Sequence, residues 1–213
     1  MATTVHERPS LIGESAKVLG GAAILAFSIY FLITSAHFFT LTRASLGKYF
    51  DVKWVLLTHV TGGAFALITG PFLLWDRVRN WSVRVHRRIG QTYLLLVALS
   101  GGCAVYLSLT TAYAVNVPYA FSLQVWVAVW LTSSLLAYRA ARRRKVKLHK
   151  EWMTRSYLVL LAFVFGALLV QVPAIQRLGT FAELSPSIFW LSWAVPLYLY
   201  DLRLATASRA VGG

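Results

Sequence analysis

The sequence predicts an all-α polytopic membrane protein, a six-helix transmembrane bundle with both termini on the cytoplasmic side. Composition, the lengths of the uncharged segments and the placement of lysine and arginine predict this class. Of 213 residues, 58% are hydrophobic and 13% are charged, whereas soluble domains carry about 25% charged residues. The mean hydropathy of +0.63 also indicates a chain that lies largely in lipid.

The uncharged segments define the spans. A helix needs about 20 apolar residues to cross the bilayer core. The segments are residues 18–42, 54–75, 89–138, 156–176 and the shorter 184–200. The third is long enough for two helices and is interrupted at Asn116-Val-Pro118, so it counts twice. Helices are expected because lipid offers the backbone no hydrogen-bond partners.

Basic residues predict the orientation, because lysine and arginine concentrate in cytoplasmic segments. With both termini inside, only four of the 21 basic residues lie outside, namely Arg43, Lys48, Lys53 and Arg177. The expected organisation is a cytoplasmic segment at 1–17, the six-helix domain at 18–204 and a tail at 205–213. The sequence therefore predicts a multi-pass protein of the cell inner membrane.

The net charge of +14 comes from basic clusters between apolar runs, so it indicates topology and not a nucleic-acid partner. The run from Arg142 to Lys147 predicts contact with anionic lipid headgroups at the inner face. Cys103 is the only cysteine, which excludes a disulfide framework and a cysteine-based metal site. No phosphate-binding glycine loop and no hydrolase motif occurs.

Four of the five histidines fall at two predicted depths. His86 and His149 end arginine-rich stretches and open the third and fifth spans, which run parallel, so both imidazoles lie at the inner boundary. His37 and His59 lie on the first two spans, five residues from the outer edge, which corresponds to about 8 Å. The spacing predicts matched depths but leaves open whether the rings face each other.

Four interpretations of these histidines stay open. Two neutral imidazoles can ligate the iron of a b-type haem, with arginines such as Arg87 meeting its propionates. His37 and His59 are alternatively candidate ligands of a metal ion, helped by Glu183 or Asp51. Proton handling is the third interpretation, because histidine titrates near neutrality. In the fourth, all four are interfacial or packing residues.

Neighbouring residues add expectations about contacts. Arg155 lies inside the membrane edge and needs a partner, for which Asp201 on the sixth span is the candidate. Tyr93 and Tyr157 lie two turns deeper than their histidines and either donate to a ligand or pack. Gln124 is expected near the depth of His59 and is its candidate partner. Glycines in the second and third spans predict close helix approach.

His59 is followed by Gly62, Gly63 and Gly70-Pro71, then by His86-Arg87 with Gly90 and Tyr93, and finally by His149 with Trp152-Met153 and Arg155-Ser156. This pattern, over about residues 54–170, resembles a bacterial membrane family called domain of unknown function 2306. That resemblance implies a membrane protein without implying an activity.

The layout is also similar to cytochrome b561 proteins, which carry electrons across membranes through two b haems. That similarity implies one ligand pair on the third and fifth helices, at His86 and His149. The second pair would come from the second and fourth helices, but the fourth span has no histidine. His59 would then pair with His37.

The leading functional hypothesis is electron transfer through haem b, with a quinone or another redox partner. Its candidate cofactor-binding residues are His86, His149, His59, His37, Arg87, Arg155, Tyr93 and Tyr157. The four histidines are the candidate metal ligands. The alternatives are a proton-coupled transporter or channel and an accessory membrane scaffold without catalysis.

Overall fold

The structure is a computed structural model that describes the backbone of residues 11–212 and the side chains of residues 19–207. Every regular element in these residues is helical, which confirms the all-α class. Residues 1–10 of the predicted N-terminal segment lie outside the described residues. At the other end, helix continues to Gly212, through most of the segment predicted as a tail.

Six long helices form the fold of the described residues. They are α1 (Leu11–Thr34), α3 (Lys53–Leu74), α5 (Val83–Leu109), α6 (Val117–Arg142), α7 (Val146–Val170) and α9 (Phe181–Gly212). The short α-helices are α2 (Arg43–Leu46), α4 (Asp76–Trp81) and α8 (Pro173–Gln176). Three 3-10 segments lie at Ser35–Thr40, Gly47–Val52 and Thr111–Ala114.

Within the described residues, five helices are long and apolar enough to cross a membrane, and they belong to α1, α3, α5, α6 and α7. The sixth predicted span corresponds to α9, which does not meet that criterion and contains Pro186 and Pro196. Large apolar side chains are exposed, including Leu19 at 70% and Ile33 at 68%. Such a surface suits lipid. The exact number of spans and the side of the termini stay predictions.

Local signals explain where the helices begin. Asn116, in the predicted interruption, caps α6 by accepting a hydrogen bond from Tyr119 N–H at 2.7 Å. Ser82 caps α5 by accepting from Val85 N–H at 3.3 Å. Glu183 accepts from the N–H and the hydroxyl of Thr180, which stabilises the start of α9. Glu183, which the sequence offered as a helper at a metal site, therefore has a capping role.

The helix α7 lies at the centre of the bundle and packs against α1, α3, α6 and α9. Its residues Val159 to Ala162 are apolar and at most 4% exposed. A helix that is apolar all round is a buried one. It begins ten residues before the predicted span at 156, because its first turns are basic and extend past the apolar segment.

Glycines let α3 approach its neighbours closely, as predicted. Gly62 faces Ser100 of α5, and a Cβ built on it would lie 3.0 Å from the Ser100 Cβ. Gly70 faces the ring of Tyr157 on α7, which occupies the space of a side chain at this position. These two contacts fix the distances of α3 from α5 and α7.

Two ends of the bundle can be distinguished. We call the end where α3 and α6 finish and α5 and α7 begin the basic end, because most of the lysines and arginines lie there. The other is the opposite end, where 3-10 segments connect α1 to α3 and α5 to α6.

Candidate functional site

A large apolar cavity extends from the opposite end towards the middle of the bundle. Its volume is about 290 Å³, and side chains from α1, α3, α5, α6, α7 and α9 line it. Most of its wall is aromatic or aliphatic, including Leu67, Trp126, Trp130 and Phe163. Pockets of this kind, with a few convergent polar groups, are the usual form of a small-molecule site.

Among the described residues, His59 is the only histidine in the wall of this cavity. Its ring meets the ring of Phe163 edge-on, with 6.0 Å between the centroids. Two reciprocal contacts with Ser100 hold it, because His59 Nδ1 lies 3.0 Å from the Ser100 carbonyl oxygen and Ser100 Oγ donates to the His59 carbonyl at 2.8 Å. The absence of a side chain on Gly62 makes this approach of α5 feasible.

These contacts define the tautomer of neutral His59. A carbonyl oxygen only accepts, so the hydrogen bond to Ser100 requires the proton on Nδ1. The Ser100 hydroxyl donates its hydrogen bond to the His59 carbonyl. Its oxygen is therefore a second acceptor for Nδ1, at 3.2 Å. Nε2 therefore carries a lone pair, and none of the described residues hydrogen-bonds to it. His59 thus brings an acceptor nitrogen without a hydrogen-bond partner to the wall of the cavity.

The outer histidine pair suggested by the sequence does not meet in this cavity. His37 is exposed on the 3-10 segment after α1, where its Nδ1 lies 2.8 Å from the Thr34 carbonyl oxygen. It does not line the cavity. The predicted contact between Gln124 and His59 is wrong, since Gln124 Nε2 donates to the Ser108 carbonyl and to the Tyr113 hydroxyl.

His86 and His149 begin two similar segments, residues 86–93 and 149–157, and lie near each other at the basic end, within range of electrostatic interaction. His149 Nδ1 lies 2.9 Å from the Ala137 carbonyl oxygen, which orients its ring. His86 Nδ1 is buried without a hydrogen-bond partner in the described part of the chain. Both rings are partly buried at the starts of α5 and α7.

The contacts around His86 and His149 do not support haem binding. Tyr93, Met153 and Tyr157, which follow these histidines on α5 and α7, are 0%, 6% and 5% exposed. A porphyrin needs an open slot between its two axial imidazoles. Neither histidine lines the large cavity, and neither lines the two smaller cavities, which lie between α6 and α7 and beside the start of α9. The large cavity in turn offers a single histidine and no lysine or arginine for propionates.

The two arginines proposed as cofactor-binding residues, Arg87 and Arg155, lie in different environments. Arg155 donates to Asp201 from Nε at 3.0 Å and from Nη2 at 2.7 Å, which confirms the predicted ion pair. Its guanidinium also lies 4.7 Å from the ring centroid of Trp152. Arg87 is exposed. Arg155 is therefore engaged with a carboxylate of the protein itself.

Tyr93 and Tyr157 hold helices together at the core. The Tyr93 hydroxyl lies 3.0 Å from Ser156 Oγ, and Ser156 Oγ lies 2.8 Å from Ser134 Oγ, which joins α5, α7 and α6. The Tyr157 hydroxyl donates to the Leu67 carbonyl at 3.1 Å and joins α7 to α3. Buried hydroxyls with satisfied bonds fit a structural role, in agreement with the packing alternative for both.

No group of three or more histidine, cysteine, aspartate or glutamate side chains that could hold a metal occurs among the described residues. Asp51, the other proposed helper of a metal site, lies 3.5 Å from Arg43 in an exposed ion pair. Metal binding by the four histidines stays a prediction without support from these contacts.

An exposed ion pair connects α4 to α7 at the basic end. Lys150 donates to Asp76, and this hydrogen bond holds the pKa of the Asp76 carboxyl below its ordinary value. A depressed carboxyl pKa gives stability that is present above the unfolded pKa and is lost as pH falls through the folded pKa. Because the Asp76 side chain is 61% exposed, the contribution is below about 1 kcal/mol.

We expect Lys150→Gln to raise the pKa of Asp76 towards its ordinary value, because the hydrogen-bonding ammonium is lost. NMR titration of the Asp76 carboxyl carbon in detergent micelles measures this pKa. Lys147→Gln, which removes an exposed charge from the same helix, is the control and should leave the titration nearly unchanged. An equal shift in both variants would mean that bulk charge, and not the contact, sets this pKa.

Sequence reasoning identified His59 but not its setting. Neither its partner Ser100 nor the aromatic side chains of α6 and α7 in the cavity wall followed from the sequence. A signal was available, since Ser100 and the pair Gly62 and Gly63 are the small residues at which α3 and α5 meet. The pairing of those helices in space was the missing information.

Comparison with known proteins adds the family. Residues 56–204 match the family described as predicted membrane protein (DUF2306). No curated protein matches the chain. No solved structure matches it, and the similarity to cytochrome b561 proteins is not shown. The matched segment runs from α3, three residues before His59, through most of α9 and makes up well over half of the sequence. The chain is a multi-helix membrane protein that belongs to the family DUF2306.

Proposed function

We propose that the protein binds a lipophilic molecule that carries a hydroxyl group. The apolar body of the ligand lies in the large cavity, and its hydroxyl donates to His59 Nε2. The observation that supports this most is the fixed tautomer of His59, because contacts with Ser100 make Nε2 an acceptor. A membrane protein meets such ligands in the bilayer itself, so an apolar cavity is a suitable receptor.

The dimensions favour a ring-sized group. A volume of about 290 Å³ lies just below the range for small-molecule pockets, about 300–1,000 Å³. The rings of Trp126 and Phe163 stack at 4.1 Å between centroids and provide a flat aromatic wall. A planar aromatic head with a hydroxyl matches both features.

Among the partners expected from the sequence, a quinone in its reduced, hydroquinone form meets these requirements. A hydroquinone hydroxyl donates, whereas an oxidised quinone has only carbonyl acceptors, which would face the lone pair of Nε2. The cavity should therefore prefer the reduced form. A preference of this kind does not require the protein to carry out the oxidation.

Quenching of tryptophan fluorescence by ubiquinol-1 tests the proposal, because Trp126 and Trp130 line the cavity. The purified protein in detergent should bind ubiquinol-1 more tightly than ubiquinone-1. We expect His59→Phe to weaken ubiquinol-1 binding about 5- to 10-fold, the size of one hydrogen bond. His37→Phe, an exposed histidine outside the cavity, should leave binding unchanged. Equal affinities for wild type and His59→Phe, or a preference for ubiquinone-1, would reject the proposal.

Electron transfer through b haem, the function expected from the sequence, stays a prediction. The contacts of His86 and His149 do not favour it over a structural role. The visible spectrum of the dithionite-reduced protein measures haem directly. Transport and a purely accessory role also stay predictions.

A further inference from the structure

A second, smaller cavity lies at the basic end, between the end of α6 and the start of α7. It has a volume of about 190 Å³, and three cationic side chains line it together with apolar ones. The cations are Arg139, Arg143 and Lys145. The apolar wall includes Leu136, Leu148 and Trp152. It shares no residue with the large cavity.

The turn between the two helices gathers these cations on one side. The Arg144 N–H donates to the Ala141 carbonyl and the Lys145 N–H donates to the Ala140 carbonyl, each at 3.0 Å. This is the Schellman arrangement, in which the chain turns back over the last helical turn. Lys145 is thereby brought beside Arg139 and Arg143, which are four residues apart and share a helix face.

The three cations are not neutralised by the protein. In the part of the chain that the structure describes, none of them has a carboxylate within 4.0 Å. The ion pairs at this end join Asp76 to Lys150 and Asp201 to Arg155 instead. Cations at a helix C-terminus interact favourably with the helix dipole. That effect alone requires no cavity and no apolar wall.

We propose that this cavity binds the headgroup of an anionic glycerophospholipid. Two guanidiniums and an ammonium match a phosphodiester, because a guanidinium offers paired donors to two phosphate oxygens. Leu136 and Leu148 provide an apolar surface for the start of an acyl chain. Trp152 adds an indole ring, a side chain that is enriched where membrane proteins meet the headgroup region. Basic pockets between membrane helices recognise lipid headgroups in this way.

Only some of the basic residues at this end of the described chain line the cavity. Arg144 carries a charge in the same turn, with φ at 56°, but it does not line the cavity. Arg84, Arg87 and Arg88 are exposed on α5 at the same end and are likewise outside it. Attraction to a charged membrane surface would use all of these arginines equally. A headgroup site would depend on the three residues of the cavity.

Native mass spectrometry of the purified protein with dioleoyl phosphatidylglycerol tests the proposal. Each basic residue near an anionic surface contributes about fivefold in affinity. We expect the triple substitution Arg139→Gln, Arg143→Gln and Lys145→Gln to weaken the tightest binding event at least about 10-fold. The matched control, Arg84→Gln with Arg87→Gln and Arg88→Gln, should stay within about threefold of wild type.

Single substitutions keep the test valid should the triple variant misfold. Arg143 is exposed, and Arg143→Gln should weaken lipid binding about fivefold. Arg144→Gly removes a charge from the same turn and should have little effect on lipid binding. Dioleoyl phosphatidylcholine should bind weakly throughout, and inorganic phosphate at 10 mM should not displace the lipid. Equal losses in the cavity and control variants would overturn the proposal in favour of surface attraction. Full displacement by inorganic phosphate would overturn it in favour of a free-anion site.

Discussion

Gly70→Ala is expected to destabilise the fold by about 3 kcal/mol, because the new methyl group would occupy the space of the Tyr157 ring. Tyr157 is only 5% exposed and its hydroxyl donates to the Leu67 carbonyl, so the ring cannot move aside without losing a buried hydrogen bond. Unfolding by SDS in mixed micelles measures the loss.

Gly102→Ala is the matched control, since it makes the same chemical change on α5 at a position where a Cβ meets nothing within 4 Å. Alanine favours helix over glycine by up to about 1 kcal/mol, so this variant should equal or exceed wild type in stability. The double variant Gly70→Ala with Tyr157→Ala should be about as stable as Tyr157→Ala alone, because the overlap is gone. Wild-type stability of Gly70→Ala would contradict close packing of α3 on α7.

The sequence predicts much of this fold because its signals are local. Uncharged segments of about 20 residues correspond to helices where a capping residue marks the helix end. Asn116 is an example, because it interrupts the third segment and caps α6. The ion pair of Arg155 with Asp201 was also predictable, because a guanidinium inside a membrane edge requires a carboxylate at the same depth.

The candidate site was less predictable because depth along a helix does not define rotation about its axis. His37 and His59 lie at matched predicted depths, yet one is exposed and the other lines the large cavity. Which face of a helix turns inward depends on close contacts such as Gly62 with Ser100. A single sequence names the small residues but not their partners on other helices.

The segments that begin at His86 and His149 show the same limit. The parallel direction of their spans predicted that both imidazoles lie at one depth, and they interact electrostatically at the starts of α5 and α7. Whether space for a cofactor remains between them depends on side chains two turns deeper. Tyr93 and Tyr157 lie at that depth, are 0% and 5% exposed, and hydrogen-bond to other helices. The sequence predicted their depth but did not name these partners.

Asp201→Asn is expected to cost about 1–2 kcal/mol, and more than Arg155→Met. The Arg155 side chain is 16% exposed, whereas Asp201 is 52% exposed. Loss of the aspartate therefore leaves a largely buried guanidinium without its carboxylate, and loss of the arginine leaves a carboxylate that water still reaches. The rings of Trp152 and Tyr200, at 4.7 and 5.3 Å from the guanidinium carbon, compensate only in part.

The double variant Arg155→Met with Asp201→Asn should be more stable than Asp201→Asn alone, because neither charge is then left unpaired. Replacement of a buried ion pair by apolar groups is often close to neutral. Unfolding by SDS of the wild type, both single variants and the double variant gives the coupling free energy directly. Additive losses would show that the two side chains stabilise α7 and α9 independently. A coupling of at least about 1 kcal/mol is expected, because Arg155 donates two hydrogen bonds to one carboxylate oxygen of Asp201.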